Sequence, residues 1–167
     1  FYALWSSHQT SLRFEVLIVL EALAERQGTK DLQAACITEL VTIAWSLQDD
    51  AKLAEVRLRQ SRFDARSGRV DKAIEQAQEA LDIARLSNQH LQQQALNALG
   101  GAYYFAGNLQ NAFSAFAQLK ETEDLSLRFR ALNNMGAIAG IRKQFDLSYE
   151  QFSQALTLAR ELGSLDA

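Results

Sequence analysis

The sequence contains no proline and only eight glycines in 167 residues. Proline removes a backbone donor and breaks helix interiors, so its absence permits long helices along the whole chain. Strand signals are missing as well, because no stretch sustains an alternation of apolar and polar residues and no Asn-Gly pair marks a hairpin. These absences predict an all-α protein.

Residues suited to catalysis or metal binding are scarce. Cys36 is the only cysteine, which excludes a disulfide within the chain and indicates a reducing, cytoplasmic compartment. His8 and His90 are far apart, and neither has metal-ligand spacing to Cys36. We therefore expect both histidines to lie at the surface and Cys36 to be a small core residue.

Two further motifs also favour structural interpretations. Asp49 and Asp50 are adjacent, as expected for a turn or a helix cap and not for a metal site or an acid-base pair. Gly100, Gly101 and Gly107 lie in and after a helical pattern, whereas a phosphate-binding loop follows a strand. The sequence predicts no enzyme activity, no cofactor and no catalytic or metal-binding residue.

Charge and hydropathy exclude two classes of partner. No apolar run reaches the roughly 18 residues of a membrane span. The nearest candidate, residues 14–20, is bracketed by Arg13 and Glu15 on one side and Glu21 on the other. The formal net charge of −3 argues against a general nucleic-acid binder, whose surface is basic. A hydrophobic content of 48% is nevertheless enough to bury a sizeable core.

The chain is internally repetitive. The segment 95–100, ALNALG, recurs at 131–136 as ALNNMG, and 80–85, ALDIAR, recurs at 155–160 as ALTLAR. Turns are expected at Gly28, Gly68, Gly107 and Lys143, which are separated by 68 − 28 = 40, 107 − 68 = 39 and 143 − 107 = 36 residues. A repeat of this length predicts a helical solenoid. We expect a single domain, 1–167, of four helix-turn-helix repeats at about 11–48, 51–87, 89–122 and 125–163.

Small residues at fixed positions suggest how each pair of helices meets. Gly100 and Gly136 would remove a side chain where the second helix crosses, and Ala112 and Ala155 would do the same on the partner. Aromatic side chains at Phe116 and Phe152 would then fill the space between the helices.

The third repeat resembles the tetratricopeptide repeat (TPR). The residues that carry this resemblance are Leu96, Leu99, Gly100, Tyr103, Gly107, Ala112 and Phe116. The fourth repeat matches at Leu132, Met135, Gly136, Phe152 and Ala155, and the second mainly at Ala73, Ala77 and Ala80. The first repeat matches weakly. The resemblance implies a right-handed superhelix of antiparallel helix pairs.

The repeats depart from the usual TPR pattern in three ways. Their period is 36 to 40 residues, the closing proline is absent, and Lys143 replaces a turn glycine. Long, proline-free repeats of this kind are similar to the C-terminal arrays of bacterial signal-transduction ATPases and transcriptional regulators, and to the repeats of kinesin light chains. The resemblance implies a non-catalytic, protein-binding scaffold within a larger signalling or regulatory protein, and we expect this chain to be a piece of one.

In TPR proteins the first helix of each repeat lines a concave groove, and this register assigns candidate binding residues. The candidates are Arg59, Arg62, Arg66, Gln94, Asn97, Tyr104, Arg130, Asn133 and Asn134. Arg59, Arg62 and Arg66 form a basic stripe that could hold the carboxylates of an acidic peptide. The resemblance implies that Asn97 and Asn134 bind the peptide backbone. The alternative is a solvated helix face with local ion pairs, such as Glu55 with Arg59.

The third helix presents a conflict, because its core positions would hold Arg57, Gln60, Ser61 and Asp64. Burying unpaired polar groups is costly. The helix could be rotated so that Val56, Leu58 and Phe63 point inward, or its polar residues could form a buried network. We expect the rotation or a shifted register.

A second function remains open from the sequence alone. The chain could be a structural spacer, or a self-association arm whose exposed terminal repeats stack on each other. In that case the protein would have no separate ligand.

Overall fold

Residues 7–85 and 89–165 are described by the structure, which is a computed structural model. They form eight α-helices and no strand, which confirms the predicted all-α class. The helices are α1 (Ser7–Gln27), α2 (Lys30–Leu47), α3 (Asp50–Arg66), α4 (Val70–Arg85), α5 (Gln89–Phe105), α6 (Leu109–Ala117), α7 (Leu125–Ile141) and α8 (Phe145–Leu165). Residues 1–6 lie outside the described part.

Each helix packs on its neighbours along the chain, as expected of a solenoid. The pairs α1–α2, α3–α4, α5–α6 and α7–α8 are in contact, and each second helix also contacts the next pair. The first helices form an inner row in which α3 contacts α5 and α5 contacts α7. None of the eight helices, as far as the structure describes them, has the length and apolar character of a membrane span.

One turn motif is repeated within all four helix pairs. The predicted turn residues Gly28, Gly68, Gly107 and Lys143 all have left-handed backbones, with φ of 70°, 79°, 73° and 60°. After each, the next amide donates to a carbonyl five residues back, for example Asn108 to Tyr103 at 2.9 Å. This is the Schellman arrangement. Because Lys143 adopts the same conformation without being glycine, the fourth repeat keeps the geometry of the others.

The helix pairs cross at one register, which hydrogen bonds mark in three of them. In the second pair the Ser61 hydroxyl donates to the carbonyl of Ala73, and in the fourth the Ser148 hydroxyl donates to that of Gly136, both at 2.8 Å. In the first pair the amide of Gln33 donates to the Glu21 carboxylate at 2.6 Å. The partners are 12 residues apart in every case.

The third pair holds buried Gly100 and Ala112 at the same register, since 100 − 61 = 39 and 112 − 73 = 39. The crossing residue opposite Gly136 is therefore Ser148, and the prediction that Ala155 takes this place is wrong. Ala155 is buried instead against Leu132 and Leu158.

The two predicted aromatic fillers differ in burial. The ring of Phe116 is buried, with 1% of the residue exposed, and packs over Gly100. The corresponding Phe152 lies over Gly136 but is 42% exposed. The prediction of a filled space therefore holds fully for the third pair only.

Gly100 and Gly101 form a matched pair of substitution sites. A Cβ on Gly100 would lie 2.7 Å from the Phe116 ring, whereas a Cβ on Gly101 would meet nothing within 4 Å. We expect Gly100→Ala to lower the free energy of unfolding by about 1–2 kcal/mol through overpacking. Gly101→Ala should raise it by about 0.5–1 kcal/mol, because alanine is the better helix former. Urea denaturation of both variants tests this, and a stabilising Gly100→Ala would contradict the crossing described above.

The conflict in α3 is resolved by a polar network in the unshifted repeat register. Ser61 and Asp64 are both buried, and Asp64 accepts a hydrogen bond from Arg69 Nε at 2.7 Å. Arg57 Nε lies 2.7 Å from a Glu79 carboxylate oxygen. The expectation that a rotation or a shifted register keeps these polar residues out of the core is therefore wrong for Ser61 and Asp64. Val56 and Leu58 are nevertheless buried, as the rotation predicts. Val56 lies among residues of α1 and α2, and Leu58 lies among residues of α4 to α7.

Candidate functional site

Three helices of the inner row, α3, α5 and α7, enclose a groove made of two adjoining clefts of about 280 and 240 Å³. The clefts share Arg62 from α3, Asn97 and Ala98 from α5, and Arg130 from α7. We call this surface the inner groove. It is the surface on which the sequence register placed the candidate binding residues.

Eight of the nine candidates line the inner groove. They are Arg59, Arg62, Arg66, Gln94, Asn97, Tyr104, Arg130 and Asn134. Asn133 lines neither cleft and is exposed. Asn133 occupies the repeat position of Asn97, since 133 − 97 = 36. However, α7 is the last of the first helices in the described part, so no further inner helix packs beside Asn133 to form a cleft.

Two of the three arginines in the predicted basic stripe are bound to α1. Arg59 contacts the buried Glu21 carboxylate at 2.5 Å, and it also pairs with Glu55 on its own helix. Arg66 pairs with Glu25 of α1. These ion pairs hold α1 beside α3 at the edge of the inner groove. The charges of Arg59 and Arg66 are therefore largely neutralised, as the alternative of local ion pairing predicts for Arg59 with Glu55.

Arg62 and Arg130 are different, since neither forms an ion pair or a hydrogen bond with any described residue. Partial loss of water in the groove lowers the pKa of Arg62, and so does the Arg59 charge. Glu25 and Glu21 oppose this effect, and Arg130 adds to it. An arginine remains charged after such a shift. Glu55 and Asp124 also line the first cleft, but their close partners are Arg59 and His90. A bound anion could therefore pair with Arg62 and Arg130 without displacing an existing ion pair.

The floor of the groove carries unsatisfied polar atoms and open space. Asn97 Oδ1 is buried and accepts no hydrogen bond from the part of the chain that the structure describes. Buried amide oxygens without a donor are costly, so a ligand that brings a donor would be favoured here. Gly101 also lies on the floor, and the space above it is open.

One end of the inner groove is aromatic. Tyr104 and Phe105 both line the second cleft, and their rings meet edge to face with centroids 6.1 Å apart. Both residues are exposed, with relative exposures of 37% and 57%. Tyr103, next to them on α5, is partly buried and packs against the main cluster. The inner groove thus offers a cationic section beside an apolar one.

A larger cleft of about 730 Å³ lies elsewhere, between α1 and α2. Its polar groups are satisfied locally, because Thr38 and Thr42 donate to backbone carbonyls of their own helix and Arg13 pairs with Glu39. This cleft offers none of the free charge found in the inner groove. We therefore give it no role in binding.

The remaining chemical candidates have structural partners. Burial, aided by the Glu21 and Glu39 charges, raises the pKa of the Cys36 thiol, which disfavours the reactive thiolate. Cys36 is buried, as predicted. His90 is exposed as predicted, while the side chain of His8 lies outside the described residues. Asp49 caps α3 by accepting from the Lys52 amide at 3.0 Å, in agreement with the predicted cap.

The sequence did not reveal the acidic residues of α1 as partners of the basic stripe. Glu21 occupies the crossing position that Ser61, Gly100 and Gly136 occupy in the later pairs. Because glutamate is not a small residue, the pattern of small residues that marks this position elsewhere is absent from α1. The one available signal was the spacing of 12 residues to Gln33, which equals the spacing between the other crossing residues.

The described chain is an all-α repeat protein with a groove between the first helices of successive pairs. Neither the protein-family models nor the curated proteins searched give a match. Among solved structures it is similar to the crystal structure of BtubC (BKLC) from P. vanneervenii, with a TM-score of 0.74 and 17% sequence identity. The match covers 92% of this chain and 66% of BtubC, and at this identity it concerns the fold alone.

Proposed function

We propose that the inner groove binds an acidic peptide segment of a partner protein. The observation that carries this proposal is the presence of two charged guanidinium groups, on Arg62 and Arg130, that form no ion pair within 4 Å with a described residue. They come from different repeats and line the same clefts. A carboxylate placed between them would gain two charge-assisted interactions, which are stronger than bonds between neutral groups.

Neighbouring groups suggest the form of the peptide. The buried Oδ1 of Asn97 can accept a hydrogen bond from a peptide N–H, and Gln94 and Asn134 offer further amide groups along the same groove. Tyr104 and Phe105 suit an apolar side chain next to the acidic residue. The preferred ligand is therefore an extended segment with an acidic residue followed or preceded by an apolar one.

This role requires no catalytic residue. It fits a non-catalytic interaction or sensor region of a larger signalling or regulatory protein, as the TPR resemblance implies. Repeats that meet only their neighbours can transmit a change in packing along the array.

We expect an acidic, apolar-flanked peptide to bind more weakly to Arg62→Gln,Arg130→Gln, with an affinity loss of about tenfold or more. Fluorescence anisotropy with a labelled peptide measures this, at several salt concentrations. The salt dependence of binding should also fall, because two charges that attract the peptide are removed. A peptide with lysines in place of its acidic residues should not bind.

The matched control is Lys72→Gln,Arg85→Gln, which removes the same charge from exposed positions on α4, away from the inner groove. This variant should bind like the unmodified chain. Arg59 is unsuitable as a test site because its substitution also breaks the buried contact with Glu21. Equal losses in the groove and control variants would show that only net charge matters, and would refute the proposed site.

A further inference from the structure

The two ends of the array both expose large apolar side chains. On α8 these are Phe145, Tyr149, Phe152 and Leu156, which line a shallow cleft, and Tyr149 is 78% exposed. On α1 they are Leu12, Val16, Val19, Leu20 and Leu23. Contiguous exposed apolar patches on repeat ends indicate interaction surfaces.

The α8 face has an internal counterpart that is covered. The crossing positions of the third and fourth pairs differ by 136 − 100 = 36 residues, so Phe145, Tyr149 and Phe152 correspond to 109, 113 and 116 on α6. Those residues are Leu109, Phe113 and Phe116, all in or against the main core cluster that also includes residues of α7. The α8 face therefore resembles the face of α6 against which the first helix of the next pair packs.

The exposed face of α1 corresponds to the face of α7 that packs against α6. The crossing positions of the first and fourth pairs differ by 136 − 21 = 115 residues, and 148 − 33 gives the same offset. By this offset the exposed Val16, Leu20 and Leu23 correspond to 131, 135 and 138 on α7. Those residues are Ala131, Met135 and Ile138, which are buried in the same core cluster as Phe113 and Phe116.

The offset is supported by residues that face the interior. Leu17 and Leu40 are buried in the first pair, and their counterparts by 115 residues, Leu132 and Ala155, are buried in the fourth. The exposed strip of α1 therefore occupies the interface positions of a first helix. The chain carries both halves of one inter-repeat contact, at opposite ends.

We propose that a second copy of this chain docks its α1 strip on the α8 face, in the way that α7 docks on α6. Continuity with the internal α6–α7 interface is the reason for assigning this occupant. The contact is head to tail, and each copy keeps one free end. Such a contact builds open chains of copies, not closed pairs. This inference does not depend on the inner groove, which uses other residues.

Sedimentation equilibrium of the 167-residue chain should show an average mass that rises with concentration beyond that of a dimer. Two variants separate the ends: Val16→Glu,Leu20→Glu on α1 and Phe145→Glu,Tyr149→Glu on α8. All four positions are exposed, so circular dichroism should show both variants folded. Each variant alone should associate at least about tenfold more weakly than the parent, because a buried charge opposes docking.

An equimolar mixture of the two variants gives the decisive result. The intact α8 face of one variant and the intact α1 strip of the other form one contact, so the mixture should reach the mass of a dimer and stop there. A parent chain that stays monomeric at all concentrations would overturn the proposal, since the faces would then need another occupant. Dimers of the α1 variant alone would also overturn it, because they would show α8 pairing with itself.

Discussion

Glu21→Ala is expected to lower the free energy of unfolding by about 3 kcal/mol or more. Glu21 is 2% exposed, accepts from Gln33 at 2.6 Å and contacts Arg59 of α3 at 2.5 Å. Its removal leaves an amide and a guanidinium without their main partner in a buried site. Loss of one member of a buried ion pair is costly because the remaining charge keeps its desolvation penalty.

Glu25→Ala is the matched control for this effect. Glu25 lies one turn further along α1 and pairs with Arg66, but the Arg66 side chain is 59% exposed. An exposed pair is expected to contribute about 1 kcal/mol or less. Urea denaturation of both variants, followed by circular dichroism, measures the difference. Equal losses would mean that the Glu21 network does not join α1 to α3.

Phe116→Ala is expected to cost about 3–5 kcal/mol, because it empties a buried aromatic site over Gly100. The corresponding Phe152→Ala should cost less than half as much, since Phe152 is already 42% exposed. Thermal or urea denaturation at low micromolar protein is the suitable measurement, because self-association would cover Phe152. If Phe152→Ala costs as much as Phe116→Ala under these conditions, the α8 face is not open in the isolated chain.

The fold was predictable because its signals are local and repeated. The missing proline, the recurring ALNALG and ALNNMG segments and the evenly spaced turns predicted an all-α repeat. Lys143 was assigned to a turn by spacing alone, and its φ of 60° confirms the position. The crossing of the fourth pair was misassigned to Ala155, because Ser148 makes its contact through a hydroxyl and not by being small.

The candidate site was predictable in position but not in charge. The register taken from the TPR resemblance placed eight candidates on the inner groove, because helical periodicity carries one assigned face through successive repeats. The free charges of Arg62 and Arg130 depend on the acids of α1, which bind Arg59 and Arg66 from 38 and 41 residues away. Such pairs could not be predicted from the sequence, because the first repeat matches the pattern weakly and the residues of α1 that face α3 could not be assigned.

The most direct test of the proposed function is a double-mutant cycle between Arg62 and the peptide. Affinities are measured for the parent chain and Arg62→Gln, each with an acidic peptide and with the same peptide carrying glutamine at the acidic position. We expect a coupling energy of about 1 kcal/mol or more, because the lost contact is the same in both single changes. A coupling near zero, with losses that simply add, would contradict the assignment of the inner groove as the site that holds the carboxylate.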